Sequence, residues 1–79
     1  MERHQRLFRL GIFWHQEIDD LSIAGRKQII QRLVAALMQE RKRGLECHWA
    51  YSLPRHRDML AIYRDEVAAL AKIETRKAA

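Results

Sequence analysis

Apolar residues recur along this chain at helical spacing almost from the first residue. Stepped at about 100° per residue, Leu7, Leu10, Trp14, Ile18 and Leu21 fall on one stripe with Phe13 at its edge, which predicts a first helix near residues 3–18. Asp19, Asp20 and Ser22 then offer capping oxygens, and Ile23, Ile29, Ile30, Leu33, Val34, Leu37 and Met38 share the next apolar face, so a second helix is expected over 22–43. Gly44 stands where a left-handed residue ends a helix, behind Arg41, Lys42 and Arg43, whose charges suit the negative end of the helix dipole. The helical period lapses between Leu45 and Leu53. Pro54 fixes a backbone angle suited to a first helical turn, and Met59, Ile62, Tyr63, Val67, Leu70 and Ile73 line a third helix over 54–75, with the last few residues frayed.

No stretch alternates at period two, so the expected fold class is all-α. Short connections favour antiparallel neighbours, which gives a three-helix up-down-up arrangement built on an antiparallel hairpin of the second and third helices. Phe8 and Ile12, spaced i to i+4, project from the far side of the first helix and form a second apolar stripe. With Gly11 allowing close approach, that stripe reads as a self-association seam that would enlarge a small core, and a homo-oligomer is expected.

Composition narrows the class. Seventy-nine residues fit a single small domain, because a chain of this size buries only about 60% of its unfolded surface. Hydrophobic residues at 48% and charged residues at 32% are too apolar for intrinsic disorder. A single cysteine, Cys47, makes no internal disulfide, which points to a reducing, cytoplasmic setting. The longest apolar run, Leu33 to Met38, falls far short of the roughly 20 residues that span a bilayer. Arg3, Arg6 and Arg9 interrupt any secretory h-region.

Fifteen Lys and Arg against ten Asp and Glu leave a net charge of +5, which favours acidic or polyanionic partners. Enzyme templates fail. The only glycines are Gly11, Gly25 and Gly44, and the chain has no phosphate loop, nucleophile elbow, two-histidine zinc helix or EF-hand loop, so neither catalysis nor a cofactor is expected. Cys47 and His48, even with His4, His15 and His56, lack the four-ligand spacing of a metal site. As a nucleophile pair, Cys47 and His48 lack a third, orienting group. His4 and His15 share a helical face as solvated histidines, and His56, aimed at the apolar face of its helix, reads as a neutral histidine satisfied in the core.

One local rule is broken. Arg55, His56 and Arg57 occupy the first turn of the third helix, where the dipole disfavours basic residues. Either Asp58 or Glu46 pairs with the arginines, or the arginines reinforce a backbone site for an anion. In an up-down-up bundle the start of the first helix, the end of the second and the start of the third meet at one pole. There Arg3, Arg6, Arg9, Arg41, Lys42, Arg43, Arg55 and Arg57 stand against Glu2, Glu40, Glu46 and Asp58, eight cations to four carboxylates, while the rest of the chain holds seven to six. Trp49 and Tyr51 lie in the same loop, as residue types that anchor interfaces or stack on bases.

The partner-binding pole is thus Arg41, Lys42, Arg43, Trp49, Tyr51, Arg55, His56 and Arg57. The expected function is a small protein-interaction module, adaptor or regulator, that meets an acidic protein surface there. The alternative is nonspecific or regulatory nucleic-acid binding through the same residues, although the long connection between the second and third helices is unlike a helix-turn-helix. A membrane-surface role for the first helix is opposed by Glu17, Asp19 and Asp20 at its end.

Overall fold

The computed structural model describes residues 2–49 and 51–78, and among them every regular element is a helix: α1 (Arg3–Arg9), α2 (His15–Asp19), α3 (Ile23–Leu45) and α4 (Leu53–Ala78). None is long and apolar enough to cross a membrane. The long pair α3 and α4 is antiparallel, joined by ion pairs at both ends: Lys27 to Glu74 at 3.4 Å and Glu40 to Arg55 at 3.6 Å. This hairpin sets the 46 Å length of the molecule against widths of 23 and 20 Å.

The N-terminal stripe does not form one helix. Gly11 adopts φ +76° and ends α1, after Leu10 and Gly11 donate their amides to the Leu7 and Phe8 carbonyls. An L side chain in that left-handed region costs roughly 1–2 kcal/mol, and glycine avoids the penalty. The break lets the chain double back, so that Leu7, Leu10, Phe13 and Ile18 all pack on one face of the hairpin. Leu21 and Trp14, on the same stripe by periodicity, are exposed instead. Arg3 meets Glu66 and Leu10 meets Arg55, so α1 runs against α4 and in the same sense as α3. The up-down-up expectation sets the first helix against its successor; the break at Gly11 reverses that relation.

The core forms where this segment covers the hairpin, with Ile29 and Leu33 from α3 and Met59 and Ile62 from α4. Each buried Leu or Ile contributes about 1.5–3 kcal/mol, whereas exposed ion pairs contribute about 0–1. Apolar burial therefore holds the layers together and charge decides where they sit.

The helix ends show how local chemistry sets the boundaries. Ser22 caps α3, its hydroxyl accepting the Gly25 amide at 3.0 Å. The same hydroxyl donates to Asp20 at 2.6 Å, and with the Ser22 amide it holds the Asp20 carboxyl below its usual range. Gly25 gives that carboxylate room, for a Cβ there would stand 2.4 Å from Asp20 Cγ.

At the other end α3 runs on through Gly44, whose helical backbone carries the ring of Tyr51. The left-handed residue is Cys47, at φ 52°. His48 donates its amide to the Arg43 carbonyl (2.8 Å) and Cys47 to that of Gly44 (3.2 Å), the paired bonds of a Schellman ending. Cysteine carries a Cβ penalty there that glycine would not. Cys47→Gly is expected to stabilise the protein by about 1 kcal/mol, read as a rise in urea midpoint at unchanged slope; no rise would show that the loop relaxes the strain by itself.

Candidate interaction site at the hairpin turn

Ser52 caps α4, accepting the Arg55 amide on its hydroxyl (3.3 Å) and the His56 amide on its carbonyl (3.0 Å). The basic first turn is compensated by where Arg55 points. Its Nη2 donates to the Leu10 carbonyl at the end of α1 (2.9 Å), and its Nε lies 3.6 Å from the buried Glu40 carboxylate. Carbonyls at a helix C-terminus carry partial negative charge, so Arg55 serves one helix end while leaving another. Of the two accounts of this turn, internal pairing describes Arg55, although its partner is Glu40 rather than Glu46 or Asp58.

A second arginine repeats the arrangement. Arg3 grips Glu66 of α4 with two nitrogens, at 2.8 and 2.9 Å, and donates its third to the Ile18 carbonyl near the end of α2 (3.0 Å). Glu40 and Glu66 are both buried, and each binds an arginine that also holds the end of a short N-terminal helix. Arg32 adds a third link, to Glu17 at 2.7 Å and to the Ile12 carbonyl at 3.3 Å, and Arg6 pairs with Asp65 at 2.9 Å. Helical periodicity alone does not single out these clamps, yet the sequence carries a signal for them. Glu66 follows Met59 and Ile62 on their stripe, and Glu40 stands seven residues after Leu33; a carboxylate on an apolar stripe marks a charge that needs a buried partner.

The expected pole is therefore divided by the fold. Arg3 and Arg6 sit beside Glu66 and Asp65, along α4 rather than at the turn. Arg43 and Arg55 are engaged with Glu40. Tyr51 turns inward, its hydroxyl 3.1 Å from His56 Nδ1 and its ring edge-on to the imidazole. His56 is half-buried at the apolar side of α4, as its position implied. What remains at the surface is Arg41, Lys42 and Arg57, without ion pairs to the described residues, and Trp49, which is 91% exposed and stacked on His48. Leu45 and Met38 lie open beside Arg41 and Lys42.

The proposed self-association residues are also separated. Ile12 packs against the core from its edge, while Phe8 is exposed and stacks on His15 at 4.1 Å. His4 and His15 come together across the Gly11 break, Nε2 to Nδ1 at 2.8 Å, with Asp19 holding the other nitrogen of His4 at 3.0 Å. Among the described residues no group of three or more His, Cys, Asp or Glu side chains is arranged to hold a metal ion. Cys47 is exposed and held in the helix ending described above.

Compared with known protein families, curated proteins and solved structures, the chain matches none.

Proposed function

We propose that this protein is a small helical interaction module, an adaptor or regulator, which binds an acidic macromolecular partner at the hairpin turn. The observation that carries the reading is Trp49, 91% exposed in the connection between α3 and α4, whose flanking turns carry Arg41, Lys42 and Arg57. An aromatic of this size left in water is the residue type that dominates interfaces once desolvated, and cations without ion pairs to the described residues supply steering and register. Arg43, Arg55, Tyr51 and His56 serve as the frame beneath them, holding the turn in shape. The role is one of binding rather than catalysis.

Arg41→Glu/Lys42→Glu/Arg57→Glu is expected to fold normally, because none of the three side chains is buried. Used as bait beside the parent chain in cell extract, it should retain its main protein partner at least tenfold less well. Equal retention by both baits would count against the reading. The stack of Trp49 on His48 also suits a nucleobase, so nuclease-sensitive retention with steep salt dependence would put nucleic acid in the partner's place.

A further inference from the structure

The N-terminal segment covers one face of the α3–α4 hairpin and leaves the other open. On that back face Val34 and Met38 of α3 stand across a groove from Leu60 of α4; by helical spacing Leu45 extends the α3 stripe and Leu53 and Val67 the α4 stripe, and Met38 and Leu45 are 67% and 76% exposed. The groove between the helices, lined by Val34, Met38 and Arg41 of α3 and His56, Leu60 and Tyr63 of α4, adjoins a second depression that follows α3 alone past Met38, Arg41, Lys42 and Leu45 to Glu46 at its end.

The charges sort by face. Asp65 and Glu66 turn toward the arginines of α1, as does Asp58, which borders a cleft with Arg6, Arg9 and Arg55. On the open face Arg41 and Lys42 border the groove, and Arg57 and Arg64, three residues before and four after Leu60, flank its α4 side. None of these four pairs with a carboxylate among the described residues, and one acid, Glu46, shares the rim. A second copy laid face to face would bring eight cations against two carboxylates, so the face repels its own kind. A concave apolar floor between basic walls instead complements a ridge with acidic flanks.

We infer that this groove receives an amphipathic helix of a partner protein, apolar on the buried side and acidic along both flanks. Resting on the interaction reading above, this names the form in which the acidic partner presents itself. From Val34 to Leu45 the open stripe of α3 spans twelve residues, eleven rises of 1.5 Å or about 16 Å, which fits three turns with apolar anchors at i, i+4 and i+7.

The test uses a helix-stabilised synthetic peptide with leucines at those positions and glutamates on its flanks, added to full-length protein labelled at its methionine methyls. The methyl of Met38 shifts on saturation while that of Met59, buried in the core, stays close to its free position. By anisotropy of the labelled peptide, Met38→Glu weakens binding at least tenfold, and a lysine-flanked or scrambled peptide binds at least tenfold more weakly than the acidic one. Trp49 emission that responds while Met38 stays still overturns the groove and leaves the turn as the binding site; silence at both overturns both readings. Equal Met38 shifts with the scrambled peptide or with phosphatidylserine vesicles, or on concentrating the protein alone, overturn the acidic helix in favour of nonspecific adsorption, a lipid surface or a second copy.

Discussion

Arg3→Ala is expected to lower folding stability by about 2–3 kcal/mol and to loosen the whole N-terminal segment. Arg3 binds both oxygens of Glu66, whose side chain is 5% exposed, and also the Ile18 carbonyl. Removing the cation leaves a buried carboxylate without its counter-charge, which costs ~3–5 kcal/mol where both partners are fully buried. Here 31% of the Arg3 side chain stays in water, so the expected loss falls at or below the bottom of that range. The paired change Arg3→Met/Glu66→Met should cost less than Arg3→Ala alone, because an apolar pair has no charge to desolvate. Urea denaturation of the single and double variants checks both. A loss under about 0.5 kcal/mol in Arg3→Ala, the range of an ordinary surface substitution, would mean that the segment is held by apolar contacts alone.

The second large effect belongs to Leu33. It is fully buried on the α3 face that the N-terminal segment covers, next to Ile29 along the helix. Leu33→Ala removes three carbons from a packed site and is expected to cost about 3 kcal/mol, within the ~2–5 of such truncations. A chain of this size has a total stability of only about 4–12 kcal/mol, so the midpoint of thermal unfolding should fall by 10 °C or more. Val34→Ala, one residue along and on the open face, should cost well under half as much. Equal losses at the two positions would contradict the assignment of a covered and an open face.

That contrast shows how much of the fold is legible in the sequence. Both hairpin helices follow from their apolar periods, and Ile29, Leu33, Met59 and Ile62 lie on the stripes that predict them. Periodicity says that Val34 and Met38 belong to an apolar face, but it does not say which face the rest of the chain will cover. Choosing between them depends on the N-terminal segment, and there the helical period continues straight through Gly11. A glycine within a periodic stretch is compatible with an unbroken helix; its φ of +76° comes from tertiary packing that rewards folding Phe13 and Ile18 back over the hairpin. The ending of α3 shows the same override. Gly44 is the default left-handed residue by type, but Tyr51 packs on its helical backbone and the turn moves to Cys47.

The candidate site is legible to a similar degree. Clustering of basic residues near the turn follows from hairpin topology, which brings the end of α3 beside the start of α4. Which arginines remain available does not follow, because Glu40 and Glu66 recruit Arg43, Arg55 and Arg3 only once their carboxylates are buried. Trp49 and Tyr51 look alike in the sequence. The fold separates them by turning Tyr51 onto Gly44 and His56 and leaving Trp49 outside.

The most direct test of an acidic partner at the turn is the emission of Trp49 in a Trp14→Phe background, since Trp14 is also exposed. An acidic polypeptide such as polyglutamate and a short DNA duplex would be titrated at low and near-physiological salt. The account predicts a saturable, salt-weakened shift with the polypeptide, stronger than with the duplex and lost in Arg41→Glu/Lys42→Glu/Arg57→Glu. An emission that neither polyanion moves at low salt, or a shift that the triple variant keeps, would contradict it.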